Sequence, residues 1–189
     1  MGEGRRLAAG VRGAGRALAW IAAPDRQLHR PGPPARRRRK QGGEDHALGR
    51  SRGGLSTKIH SVVDHRGRPV RLVLTPGQAS DKTTAPVLVA PLGLTGDVVA
   101  DRGYFGRAVI DAIEATGVTA HVPSQSNVRV RRSVDPTIYR HRNLIERDVN
   151  RLKHCRGIAT RYSKLARNFL AAVWLASVRI WIRHYESTT

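Results

Sequence analysis

The chain has 189 residues, a formal net charge of +20 and an isoelectric point near 11.7. That length suits one domain with a real core, and the charge points to a polyanionic partner, nucleic acid ahead of an acidic membrane surface. No stretch approaches ~18 uninterrupted apolar residues, so a membrane partner is not expected. The best candidate, Phe169 to Ile182, is interrupted by Arg179 and reads as a buried helix. Arg12 and Arg16 break any apolar run near the N-terminus, which argues against a signal peptide. A single cysteine, Cys155, excludes an internal disulfide and a Cys-rich zinc site and fits a cytoplasmic chain.

Two compositional zones follow one another. Residues 1–43 are rich in Gly, Ala, Pro and Arg, with eleven Lys/Arg against Glu3 and Asp25 and the run Arg36 to Lys40. They read as a disordered basic leader, with at most a short helical turn over Leu18 to Ala22. Residues 44–189 carry the periodic pattern. Leu55 to Val63 alternates and predicts a half-buried strand. Asp64 to Gly67 is turn chemistry, and Val70 to Leu74 is the returning strand of a hairpin. Ser80 or Asp81 caps a helix to about Leu92, weakened by Pro86. Val98 to Ala100 is a short strand ending at Asp101. Arg107 to Thr116 reads as a helix stopped by Gly117. Val118 to Val122 is a strand, Gln125 to Val134 a basic loop, and Pro136 opens a helix to about His154. Leu165 to His184 is the final helix. The plan is α/β.

The chemistry-bearing residues gather late. Tyr139, Arg142, Glu146 and Lys153 stand at gaps of two, three and six residues. On one helix they fall within roughly 60° of each other, with Ile138, Ile145, Val149 and Leu152 on the neighbouring face. A carboxylate between cations beside an apolar stripe suits metal-assisted chemistry on a phosphate chain. A solvated face of i,i+4 ion pairs fits the same spacing. Asp101, at the end of an apolar strand and before Arg102-Gly103-Tyr104, is either a rigidly held metal carboxylate or a turn former. Scattered histidines without ligand spacing make zinc improbable.

Tyr139-x2-Arg142-x3-Glu146-x6-Lys153 resembles the signature around the last acidic residue of IS4/IS5-type insertion-sequence transposases, which are DDE enzymes. The text from Tyr139 to Lys153 looks like the IS5 branch, as does Ile158 to Leu170. Gly53 to His60 and Leu74 to Ala79 are similar too, so the likeness runs from about Gly42 to about Arg183. It implies a ribonuclease-H-like fold in which Asp101 and Glu146 hold Mg²⁺ (or Mn²⁺). It implies that Arg142 and Lys153 contact DNA phosphates and that Tyr139 positions the strand. The partners implied are double-stranded DNA, both transposon ends and target, and a second copy in a homodimer. The setting implied is the bacterial cytoplasm at the nucleoid.

The family's first aspartate is not recognisable, since Asp64 sits in a turn and Asp25 in a proline-rich stretch that is no strand. The fold is therefore expected to be incomplete, with its central first strand missing and the chain a truncated or frameshifted copy without activity. Codons permitted by Asp25 to Ala35, read one base later, give Ile-Asp-Ser-Ser-Ile-Val-Arg-Ala-His-Gln-His, which looks like the text bearing that aspartate. Two other classes stay open: a non-enzymatic basic nucleic-acid-binding protein, and a ribonuclease-H-like nuclease acting on DNA or RNA without transposon ends.

Overall fold

The structure is a computed structural model, and it describes residues 19–22, 46–51 and 54–186. The rest of the expected leader lies outside the described residues, Asp25 included. The architecture is α/β. Its six strands are β1 (Ala19–Ala22), β2 (Gly49–Ser51), β3 (Gly54–Val63), β4 (Pro69–Pro76), β5 (Asp97–Ala100) and β6 (Thr119–His121). Among the described residues six α-helices accompany them: α1 (Asp81–Val89), α2 (Arg107–Glu114), α3 (Pro136–Arg140), α4 (Asn143–Lys153), α5 (Arg156–Ala159) and α6 (Ala166–Glu186).

The expected gap at the centre of the sheet is filled. Ala19–Ala22 is a strand and no helical turn, lying antiparallel to the end of β3 (Trp20 opposite Val63) and parallel to β5 (Ile21 beside Ala100). Two flanking strands offer it a full set of backbone partners, and that tertiary demand outweighs the weak local pattern of the segment. β4 runs antiparallel along most of β3, β2 pairs with the start of β3, and β6 extends the parallel side beyond β5.

β3 was expected to be half-buried, yet Ile59 to Val63 is buried throughout. Helices cover both faces of the sheet, so neither set of alternate side chains meets water. On one face Val62, Val98 and Ala100 pack with Leu88, Val89, Val109 and Ile113 from α1 and α2. On the other, Ile59 and Leu72 pack with Leu152, Phe169 and Val173 from α4 and α6. At the β3–β4 turn Gly67 takes a positive φ of 72°, and the Asp64 carboxylate accepts from the Arg66 and Arg68 amides, each at 2.9 Å. Gly117, at φ 84°, ends α2 as its spacing predicts.

The helix expected from Pro136 to His154 is two helices. Between α3 and α4 the amides of Arg142, Leu144 and Ile145 bond to carbonyls three residues back, so the chain tightens to a 3₁₀ passage. α6 is not the buried helix that its apolar composition suggests. Phe169, Val173, Ser177 and Ile180 face the core, while Leu175, Val178, Ile182 and Tyr185 are exposed.

Two buried polar groups tie this framework. Arg161 donates to the carbonyls of His46 (2.7 Å), Ser163 (2.9 Å) and Lys164 (3.0 Å) and to the Thr57 hydroxyl, and it stacks over Phe169. Arg161→Met should cost about 3 kcal/mol or more, because it strands those carbonyls in a buried site; urea denaturation measures the loss. His60 hydrogen-bonds Tyr104 at 2.6 Å through Nδ1 and Thr75 at 2.7 Å through Nε2. Burial holds the imidazole down at about 4 against an ordinary 6.5. As pH falls the unfolded chain takes up its proton first, so this contribution to stability is whole above 6.5 and is lost towards 4. Stability measured across that window should fall less steeply in His60→Asn than in the unmodified protein.

Candidate functional site

Three strands present one lateral row on the α4 face of the sheet. Ser61 on β3 pairs with Ala22 on β1. The Ile21–Ala100 pairing sets Ala22 beside Asp101, the residue following β5. α4 lies across this row, held by Ile145 against Val63 and Val99. That clamp fixes where the ends of the helix fall.

At its N-terminal end Arg142 reaches both acids. One guanidinium nitrogen is 2.7 Å from Glu146 Oε1 and the other 3.7 Å from Asp101 Oδ1. The Tyr139 hydroxyl oxygen accepts from Arg142 at 3.4 Å, and the phenol ring stands 5.7 Å from the guanidinium carbon. The Tyr139 oxygen first, then the charges of Glu146 and Asp101, hold Arg142 even more firmly protonated than a free guanidinium, against the opposite pull of partial burial. Asp101 also accepts from the Arg102 amide at 2.8 Å, capping the 3₁₀ turn Arg102–Tyr104. The turn-former reading therefore holds at this residue.

Of the five residues singled out from the sequence, Asp101, Glu146, Tyr139 and Arg142 come together around one guanidinium. Lys153 does not join them. It is seven residues beyond Glu146 on the same helix, about 10 Å along the axis at 1.5 Å per residue. All four gathered side chains are partly open to solvent, as a site for an extended ligand requires.

Sequence reasoning missed Asp148. Its carboxylate is fully buried, accepts from Ser61 Oγ at 3.1 Å through Oδ2, and leaves Oδ1 without a hydrogen-bond partner. Burial pushes it up to about 7, with the Ser61 bond and Arg151 acting the other way. The signal was present. Ile145, Asp148, Val149 and Leu152 recur at helical i, i+3, i+4, i+7 spacing, so an acid stood inside the core-facing stripe.

The chain matches the transposase DDE domain family over residues 22–181 and belongs to that family. Within it, the chain is 37% identical over 133 residues to a Brucella ovis protein that bears the name of a transposase for insertion sequence element IS6501. That match spans 68% of this chain and 100% of the relative. No solved structure matches at a significant level.

Because Ile145 is what seats α4, Ile145→Ala should cost about 2–4 kcal/mol. It should also speed amide exchange through α4 more than through α1 and α2. Uniform exchange across the three helices would show that Ile145 is ordinary core.

Proposed function

We propose that this chain is a DNA-binding insertion-sequence transposase of the IS4/IS5 type, IS5 branch, whose catalytic set is incomplete. The observation that carries the reading is the meeting of Asp101 and Glu146, from different elements, on Arg142. The strand order supports a ribonuclease-H-like domain over residues 44–189 joined by β1: an antiparallel hairpin, a central strand, then parallel β5 and β6.

In this reading Asp101 and Glu146 are the surviving metal carboxylates. Arg142 and Lys153 bind the phosphate backbone and Tyr139 positions the strand at the reacting phosphate. Family members use divalent ions such as Mg²⁺ or Mn²⁺. Asp101 and Glu146 by themselves do not fill a two-ion centre, since such ions want several oxygen ligands each. The described residues hold no group of three or more Asp, Glu, His or Cys side chains arranged for a metal. No catalytic step is therefore assigned to this copy.

What remains is recognition. A charge of +20 and a partly exposed Tyr–Arg–Glu surface suit double-stranded DNA at the nucleoid. The nuclease alternative shares the missing donor and has no observation of its own. The purified chain should bind DNA carrying insertion-sequence ends with affinity that drops by about 10³ from about 50 to 200 mM salt. Glu146→Gln should keep or raise that affinity by removing a negative charge. With Mg²⁺ or Mn²⁺ no nicking should exceed that of Glu146→Ala. Turnover abolished by Glu146→Ala would overturn the inactivity, and salt-insensitive binding would overturn the DNA reading.

A further inference from the structure

Between the C-terminal turn of α4 and the second half of α6 lies a cavity of about 430 Å³. α6 lines it with Ala176, Arg179, Ile180, Arg183 and His184, whose spacing makes them one helical face. α4 contributes Arg151 and His154, and Cys155 follows at its end. The pocket stands at the opposite end of α4 from Arg142, about 18 Å along the axis at 1.5 Å per residue. It is thus separate from the place where Asp101 and Glu146 meet.

Its charge is unbalanced. Arg179 and Arg183 are like charges at i,i+4, an arrangement that works against the helix. Among the described residues, none of Arg151, Arg179 and Arg183 makes an ion pair. Arg151 acts at longer range on buried Asp148. Arg66, from the β3–β4 turn, donates to His184 Nε2 at 3.2 Å and brings a fourth guanidinium to the rim. We propose that this pocket binds a phosphate group, carried either by a DNA backbone or by a free phosphate ester. Three guanidinium forks want more acceptor positions than the two oxygens of a carboxylate supply, and tetrahedral phosphate supplies them. The lining holds arginine and no lysine, the choice that suits bidentate recognition of phosphate. Ile180 and Cys155 pack into the core beneath, and this apolar floor strengthens the pairing above it. The last carbonyls of α4 and α6 add about half a negative charge each, which three full positive charges outweigh.

The test takes the full chain, nuclease-treated, with pyrophosphate as the probe at constant ionic strength. Calorimetry should show binding, and pyrophosphate should slow the alkylation of Cys155, the chain's single cysteine, by a neutral maleimide. Arg179→Gln with Arg183→Gln should weaken binding about tenfold or more and remove the protection. Its thermal midpoint should hold or rise, because a repulsion is lost. Arg129→Gln with Arg131→Gln takes the same charge from the exposed basic loop and should leave both readouts unchanged. Arg179→Lys with Arg183→Lys keeps the charge, loses the forks and should fall between the two pairs. Pyrophosphate that gives no heat and leaves the alkylation rate unchanged overturns the proposal. So does binding that the Arg179 and Arg183 pair weakens no more than the loop pair, which would make it bulk charge. A DNA duplex then separates the two sources of phosphate. If the Gln pair on α6 lowers the slope of log affinity against log salt by about one to two, the backbone is the occupant. An unchanged slope assigns the pocket to a free ester. A chain that takes up pyrophosphate here but no DNA keeps the pocket and loses the DNA reading; the converse loses the pocket alone.

Discussion

Ile145 wedged between Val63 and Val99 is the contact on which the site depends. It fixes α4 across the end of the sheet, so that Arg142 falls on Asp101 at one end and Asp148 on Ser61 further along. Neither polar contact could do this work alone. The Arg142 ion pairs are partly open to solvent and are individually weak, and the buried Asp148 carries an unsatisfied oxygen that costs free energy. Apolar burial supplies the stability, and the polar contacts inherit their geometry from it.

Long elements with a strong period were legible in the sequence. The β3–β4 hairpin, α1, α2, the strand before Asp101 and the last helix stand close to where the periodicity places them, although Ser80 makes no capping bond and α1 ends at Val89, short of Leu92. Asp101 and Glu146, drawn from positions 45 residues apart, meet at one guanidinium. What escaped depended on tertiary partners. Ala19–Ala22 has four residues and little pattern, and only the open edges of β3 and β5 make a strand of it. The break at His141–Arg142, where the backbone bonds run three residues back, carries no Gly or Pro to announce it.

The errors over α6 and β3 share a physical cause. Composition says how apolar an element is, yet not how many of its faces the fold covers. β3 alternates as a half-buried strand does, but helices on both sides bury it. α6 is apolar enough for full burial and is covered on one side only. Arg161, among the most heavily hydrogen-bonded side chains described, gave no sequence signal, since its partners are mostly backbone carbonyls.

If Asp101 and Glu146 take a cation and Arg142 a phosphate, as proposed above, then Arg142 makes the two affinities interdependent. It is the positive charge that lets Asp101 and Glu146 stand close together without repelling. A phosphate that draws the guanidinium away exposes two unneutralised acids, and a cation settling on those acids releases the guanidinium for the phosphate. Each guest therefore favours the other, by the same free energy in either order of arrival.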